Sequence, residues 1–176
     1  VGARWAYTAS RVTTPEVMST AAALYRPKGV RIDTMAYVKQ SLTLVSNVEH
    51  AGLSLKIKNH SALANVVQGK GVREDIDTLI AAMNVTEAMA ILGTGSDWRT
   101  EIRDALDALH DMSLRGIERG DKFLFTGPEM QKLNLAMDIH DAQLDACTVK
   151  QLEAGLKLVE SYIRNGKARP IQRKAA

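Results

Sequence analysis

Two His-Asp dipeptides, His110-Asp111 and His140-Asp141, carry the residue types best suited to chemistry in this chain. Each sits among acids: Asp104, Asp107 and Asp111 in one stretch, Asp138, Asp141 and Asp145 in the other. Imidazole nitrogens and carboxylate oxygens converging from separate helices can hold a divalent cation, which activates a water for attack on a phosphoester. Helical spacing opposes that use. At about 100° per residue, Ile102, Ala105, Leu106 and Leu109 make the apolar face of the first stretch and turn Asp104, Asp107 and Asp111 toward water. In the second, Leu133, Met137 and Leu144 form a stripe that includes His140, with Asp138 and Asp145 to its side. The expectation is a solvated acidic face and one buried or interfacial histidine.

The dipeptides resemble a fragment of the HD-domain phosphohydrolase pattern, in which an isolated His, a His-Asp pair and a later Asp share the metals. That resemblance implies His110, Asp111, His140 and Asp141 as ligands. It covers only the dipeptides, and neither His50 nor His60 carries a surrounding signature. Gly93-Thr94-Gly95-Ser96 could offer backbone N–H groups to a phosphate. It lacks the Gly-Lys-Ser/Thr ending of a P-loop and follows a helix rather than a strand, so it reads as a turn with Ser96 as a cap. Cys147, the single cysteine, lies seven residues from His140 and reads as a packed thiol. A lone cysteine forms no intrachain disulfide, which favours a reducing, cytoplasmic setting. A helix-turn-helix drawn through residues 60–83 would open its second helix with Arg73-Glu74-Asp75 and Asp77, acids that phosphates would repel. No catalytic residue and no cofactor is assigned.

Charge is more informative. The formal net charge is +3, yet residues 1–73 carry +7, residues 74–160 carry −9 and residues 161–176 carry +5. Arg4, Trp5, Tyr7 and Arg11 interleave bases with aromatics, a composition suited to phosphate contact and base stacking. Arg26, Lys28, Arg31, Lys56 and Lys58 extend this basic region, and Arg164, Lys167, Arg169, Arg173 and Lys174 make a second one. Together they point to an acidic partner: nucleic acid, or the face of another copy formed by Asp104, Asp107, Asp111, Asp138, Asp141 and Asp145. The functional expectation is a non-enzymatic interaction or assembly protein, a homo-oligomer or the partner of another protein. The alternatives are an HD-like metal-dependent phosphohydrolase and a sequence-nonspecific nucleic-acid binder of the kind that serves a phage or mobile element.

The elements that must position these residues follow from periodicity and punctuation. With 176 residues, 45% of them hydrophobic and very few aromatic, the chain suits an aliphatic helical core. No apolar run approaches the roughly 20 residues of a membrane span. The reading is all-α: an irregular bundle of five to seven helices over residues 15–166, with a basic arm at 1–14 and a basic, mobile tail at 167–176. Thr14-Pro15-Glu16 opens a first helix that stops before Pro27. A second begins near Asp33 or Thr34, places Met35, Val38, Leu42, Val45 and Val48 on one face, and ends near Gly52. Leu53, Leu55 and Ile57 alternate with polar residues, a period that permits a short strand but, with no second strand to pair with, reads as an extended linker or a frayed turn. A short helix covers 60–68. Further helices are expected from Arg73 to Leu92, with a restart at Asn84-Val85-Thr86-Glu87, from Asp97 to Arg119, and from Thr126 to Asn165. The last carries a second start signal at Thr148, where Thr148 and Gln151 can cap one another, and is either one bent helix or two consecutive ones. Lys122-Phe123-Leu124-Phe125 connects the last two regions beneath the bundle.

Overall fold

Five α-helices carry the described part of the chain: α1 (Ala51–Val67), α2 (Arg73–Ile91), α3 (Arg99–Glu118), α4 (Gly127–Ala146) and α5 (Val149–Arg164). The computed structural model describes residues 5–8, 35, 38, 41–48 and 51–170. The helix expected after Thr14 lies outside them, as do Arg4, Arg11, Arg26, Lys28, Arg31, Arg173 and Lys174. No described helix is long and apolar enough to cross a membrane.

α2 is the axis of the bundle and packs against α1, α3, α4 and α5. Its residues from Ala82 to Ala90 are buried on every side, polar Asn84, Thr86 and Glu87 included. An amphipathic stripe needs one apolar face, whereas a helix walled in by four others must bury its whole circumference. Ile76, Leu79, Ile80 and Met83 join Ile102, Leu106, Leu109 and Met112 of α3 and Leu133 and Met137 of α4 in the main core. A smaller cluster gathers Val45, Val85, Met89, Leu144, Cys147, Val149 and Leu152 where α4 meets α5.

Helix ends follow their punctuation. Thr126 N–H donates to Glu129 at 2.8 Å at the start of α4, and Thr148 N–H donates to Gln151 Oε1 at 2.9 Å at the start of α5. At the end of α2, Gly93 N–H donates to Ala90 O and Thr94 N–H to Met89 O, the paired bonds of a Schellman stop. Phe123 is buried against α3, where a Cβ on Gly116 would collide with its ring, so only glycine admits the connector. Leu124 beside it is half-exposed, so the connector is tucked in at the phenylalanines only.

Four expectations are corrected. First, α1 is continuous from Ala51 where an extended linker was expected. Its inward face reads Gly52, Leu55, Asn59, Ala62, Leu63 and Val66, a helical period masked by a glycine and an asparagine, while Leu53 and Ile57 are exposed. Second, the preceding helix does not continue to Gly52: Met35, Val38 and Ser41 are helical, but residues 42–48 form a turn and a short 3₁₀ stretch. There Val45 N–H donates to Cys147 O and Val149 N–H to Thr43 O, so this segment lies against the α4–α5 junction. Third, α2 runs through Asn84–Glu87 without a restart, because Thr86 Oγ1 donates to Ala82 O inside the helix. Fourth, Ser96 caps nothing; it begins a 3₁₀ turn, Ser96–Trp98, that leads into α3.

Two short strands complete the described chain: β1 (Trp5–Thr8) pairs in parallel with β2 (Ala168–Pro170), Tyr7 opposite Arg169. Trp5–Thr8 of the expected N-terminal arm and Ala168–Pro170 of the expected tail are thus paired. The bundle itself is all-α.

Candidate functional site

α4 presents two chemically different faces, and both begin with residues singled out by sequence. On the inner face, His140 is 3% exposed and held from both sides. Thr86 of α2 lies 2.8 Å from its Nδ1, and Asn59 of α1 lies 3.0 Å from its Nε2. The Thr86 hydroxyl already donates its proton to Ala82 O at 2.8 Å. Its oxygen therefore accepts from His140 Nδ1–H, and the bare Nε2 accepts from the Asn59 amide. A single neutral tautomer satisfies this network. Burial pushes the imidazolium down to a pKa of about 4, with Asp141 opposing and His60 and Lys56 reinforcing the shift.

An ion pair and a histidine–carboxylate hydrogen bond flank the buried contact along the same α1–α4 seam. Lys56 Nζ meets Asp145 Oδ1 at 2.7 Å, and His60 Nε2 meets Asp141 Oδ2 at 2.9 Å. Residues 56, 59 and 60 of α1 thus engage 145, 140 and 141 of α4, three rungs holding the helices in register. Lys56, expected to face a partner, and Asp145 and Asp141, expected on the acidic face, are bound to groups of their own chain.

Gln143, one turn beyond His140, begins the outer face. Its amide nitrogen donates to Thr86 O at 3.1 Å and to Thr94 O at 2.7 Å. Two carbonyl acceptors fix the amide's orientation and leave Oε1 buried with no hydrogen-bond partner. The turn that brings Thr94 here depends on Gly95, whose φ of +79° suits glycine and whose hypothetical Cβ would lie 3.0 Å from Gln143 Nε2. The backbone groups of the Gly-Thr-Gly-Ser loop are thus engaged within the chain: the N–H groups of Gly93 and Thr94 close α2, and the Thr94 carbonyl receives Gln143.

Outside Gln143 lies an open groove of about 390 Å³ between this loop and α4. Trp98 forms one wall and Leu135, Ile139 and Ala142 the other, with Asp138 at the lining's only carboxylate. Trp98 is 48% and Leu135 43% exposed. Large apolar groups that stay in water beside a charge are the surface signature of a contact site.

The remaining candidates are dispersed. Asp104, Asp107 and Asp111 are exposed on α3, with Lys132 Nζ at 3.8 Å from Asp104, and His110 lies 3.4 Å from its neighbour Asp111. Lys58 and Arg164 are exposed. Lys167 stands 5.3 Å over the Tyr162 ring, within cation–π range. Trp5 and Arg169 lie in β1 and β2. Among the described residues no three His, Cys, Asp or Glu side chains converge as metal ligands, and the two nitrogens of His140 are already engaged. The four residues of the HD-like fragment do not form a metal centre. Cys147 is buried, and desolvation raises its thiol pKa to about 11, the opposite of a nucleophile's.

Sequence reasoning passed over one buried acid and one partly buried one. Glu87 of α2 is 1% exposed and accepts from Arg103 Nε at 2.9 Å; burial raises its pKa against that bond. Asp77 is pushed up to about 6 by burial, with Arg73 opposing, and its Oδ1 has no hydrogen-bond partner. Neither faces the groove.

No protein-family model, curated protein or solved structure matches this chain.

Proposed function

We propose that this chain is a non-enzymatic assembly protein whose basic segments engage the acidic surface of a neighbouring copy. The observation that carries this reading is the separation of charge along the chain. Exposed carboxylates stand on α3 and α4, at Asp104, Asp107, Asp111 and Asp138, within a stretch of net charge −9, while residues 1–73 carry +7 and residues 161–176 carry +5. The burial of His140, with both ring nitrogens engaged, and of Cys147, whose thiol pKa is raised, agrees with this reading. Complementary patches on opposite parts of one chain form a head-to-tail contact, which closes into a ring or extends as a filament.

Light-scattering chromatography at low and high salt, with absorbance followed at 260 and 280 nm, tests it. An oligomer free of nucleic acid that dissociates as salt rises supports the reading, because surface charge contacts are screened. A monomer at both salt concentrations overturns it. Nucleic acid co-eluting with a monomer overturns it in favour of polyanion binding by the basic ends.

A further inference from the structure

We infer that the groove between Trp98 and α4 is the acceptor for residues 171–174 of a second copy, with Ile171 on its apolar floor and the Arg173 guanidinium against Trp98 and Asp138. This rests on the assembly reading above and gives it an address. Three features of the groove define the chemistry of its occupant. Its walls are aliphatic and aromatic, so the occupant must bring an apolar side chain to bury. Its one lining carboxylate, Asp138, is exposed and calls for a cation. Trp98 offers an indole face on which a guanidinium stacks more favourably than an ammonium, since it is planar and weakly hydrated.

Gln143 gives an independent indication. It is 3% exposed, it lines the groove, and its Oε1 lacks a partner because both amide protons go to main-chain carbonyls. A buried acceptor without a donor costs about 1–3 kcal/mol, and a guanidinium brings five N–H donors in one plane. Among the chain's basic segments, Ile171-Gln172-Arg173-Lys174 places one branched aliphatic residue two positions from an arginine, with a second base next to it. It follows Pro170, the last described residue, so β2 would lead directly into the docked segment.

The test measures fluorescence anisotropy of a labelled peptide of residues 166–176 titrated with the full chain, alongside light scattering of each variant. Ala142→Trp fills the groove from an exposed helical position, and Asp138→Lys reverses its charge; circular dichroism checks that both fold. The inference expects saturable peptide binding, weakened at least tenfold by either substitution, and salt-sensitive oligomers that become monomers in Ala142→Trp. A peptide in which Arg173 is replaced by Glu should not bind. Oligomers that survive Ala142→Trp, with no peptide binding, overturn the groove and leave the assembly reading standing. A monomer at every salt concentration overturns both.

Discussion

The two faces of α4 show opposite treatment of the same residue types. Toward α1, the buried His140 and the more exposed Asp141 and Asp145 beside it are met by Asn59, His60 and Lys56, at 3.0, 2.9 and 2.7 Å. Outward, Asp138 stands beside Leu135 and Trp98 in a groove that no other part of the described chain fills. The same acids recur at steps of three and four along one helix, yet those on one side pair with α1 and the one on the other lines an open groove. A His-Asp dipeptide is therefore not a unit of chemistry here: His140 belongs to the core, and Asp141 belongs to a surface hydrogen bond with His60.

The largest way to break this contrast is at its buried end. His140→Ala leaves the Thr86 and Asn59 groups without their partner and opens a cavity, and should cost about 2–5 kcal/mol in denaturant unfolding. A comparable loss from Asp138→Ala would contradict the division of faces. The same histidine sets a pH dependence. Its folded pKa is about 4 against 6.5 for the free group, so between those values the unfolded chain takes up a proton that the folded chain excludes. Stability should fall as pH drops through that window, by at most about 3 kcal/mol from this group. Asp77 acts with the opposite sign. Its pKa of about 6 lies above the ordinary 3.8, so the folded chain holds the extra proton and stability declines as pH rises across that range. Asp77→Asn should accordingly stabilise the protein more near neutrality than at acidic pH, and His140→Asn should lose the acid-side decline while keeping the opposing trend.

Smaller effects sharpen the contrast at the surface. Gly95→Ala forces a side chain into a left-handed turn against Gln143 and should cost about 1–2 kcal/mol, disturbing the groove wall without touching the α1–α4 seam. Lys56→Ala removes an exposed ion pair and should cost about 0.2–1 kcal/mol. Asp138→Asn should leave unfolding within about 0.5 kcal/mol of the parent chain while weakening self-association.

Much of the bundle was legible because its boundaries are written in local chemistry. Glycines after α1, α2, α3 and α5, and the reciprocal Thr148–Gln151 cap, mark helix ends within a residue or two. α1 was misjudged because its inward face is centred on Asn59, whose hydrogen bond to His140 spans 81 residues of sequence and leaves no trace in hydropathy. Burial of His140 was readable from its place in the Leu133–Leu144 stripe; its Thr86 partner, 54 residues away, was not. The groove was hidden for the same reason. Gln143 reaches Thr94 across 49 residues, and only the folded chain sets the Gly93–Ser96 turn against α4. The charge segregation, by contrast, was visible from counting, but not that Lys56 and Asp145 would meet within one molecule.

A mixing experiment reads the central claim most directly. One partner is the Ala142→Trp protein, with its groove filled and its basic segment intact; the other carries Arg173→Glu and Lys174→Glu, with the groove intact. Each alone should run as a monomer in light scattering at low salt, and an equimolar mixture should form a one-to-one dimer that goes no further, because a single acceptor and a single donor remain. A mixture that stays monomeric, or single variants that still assemble, would contradict the account.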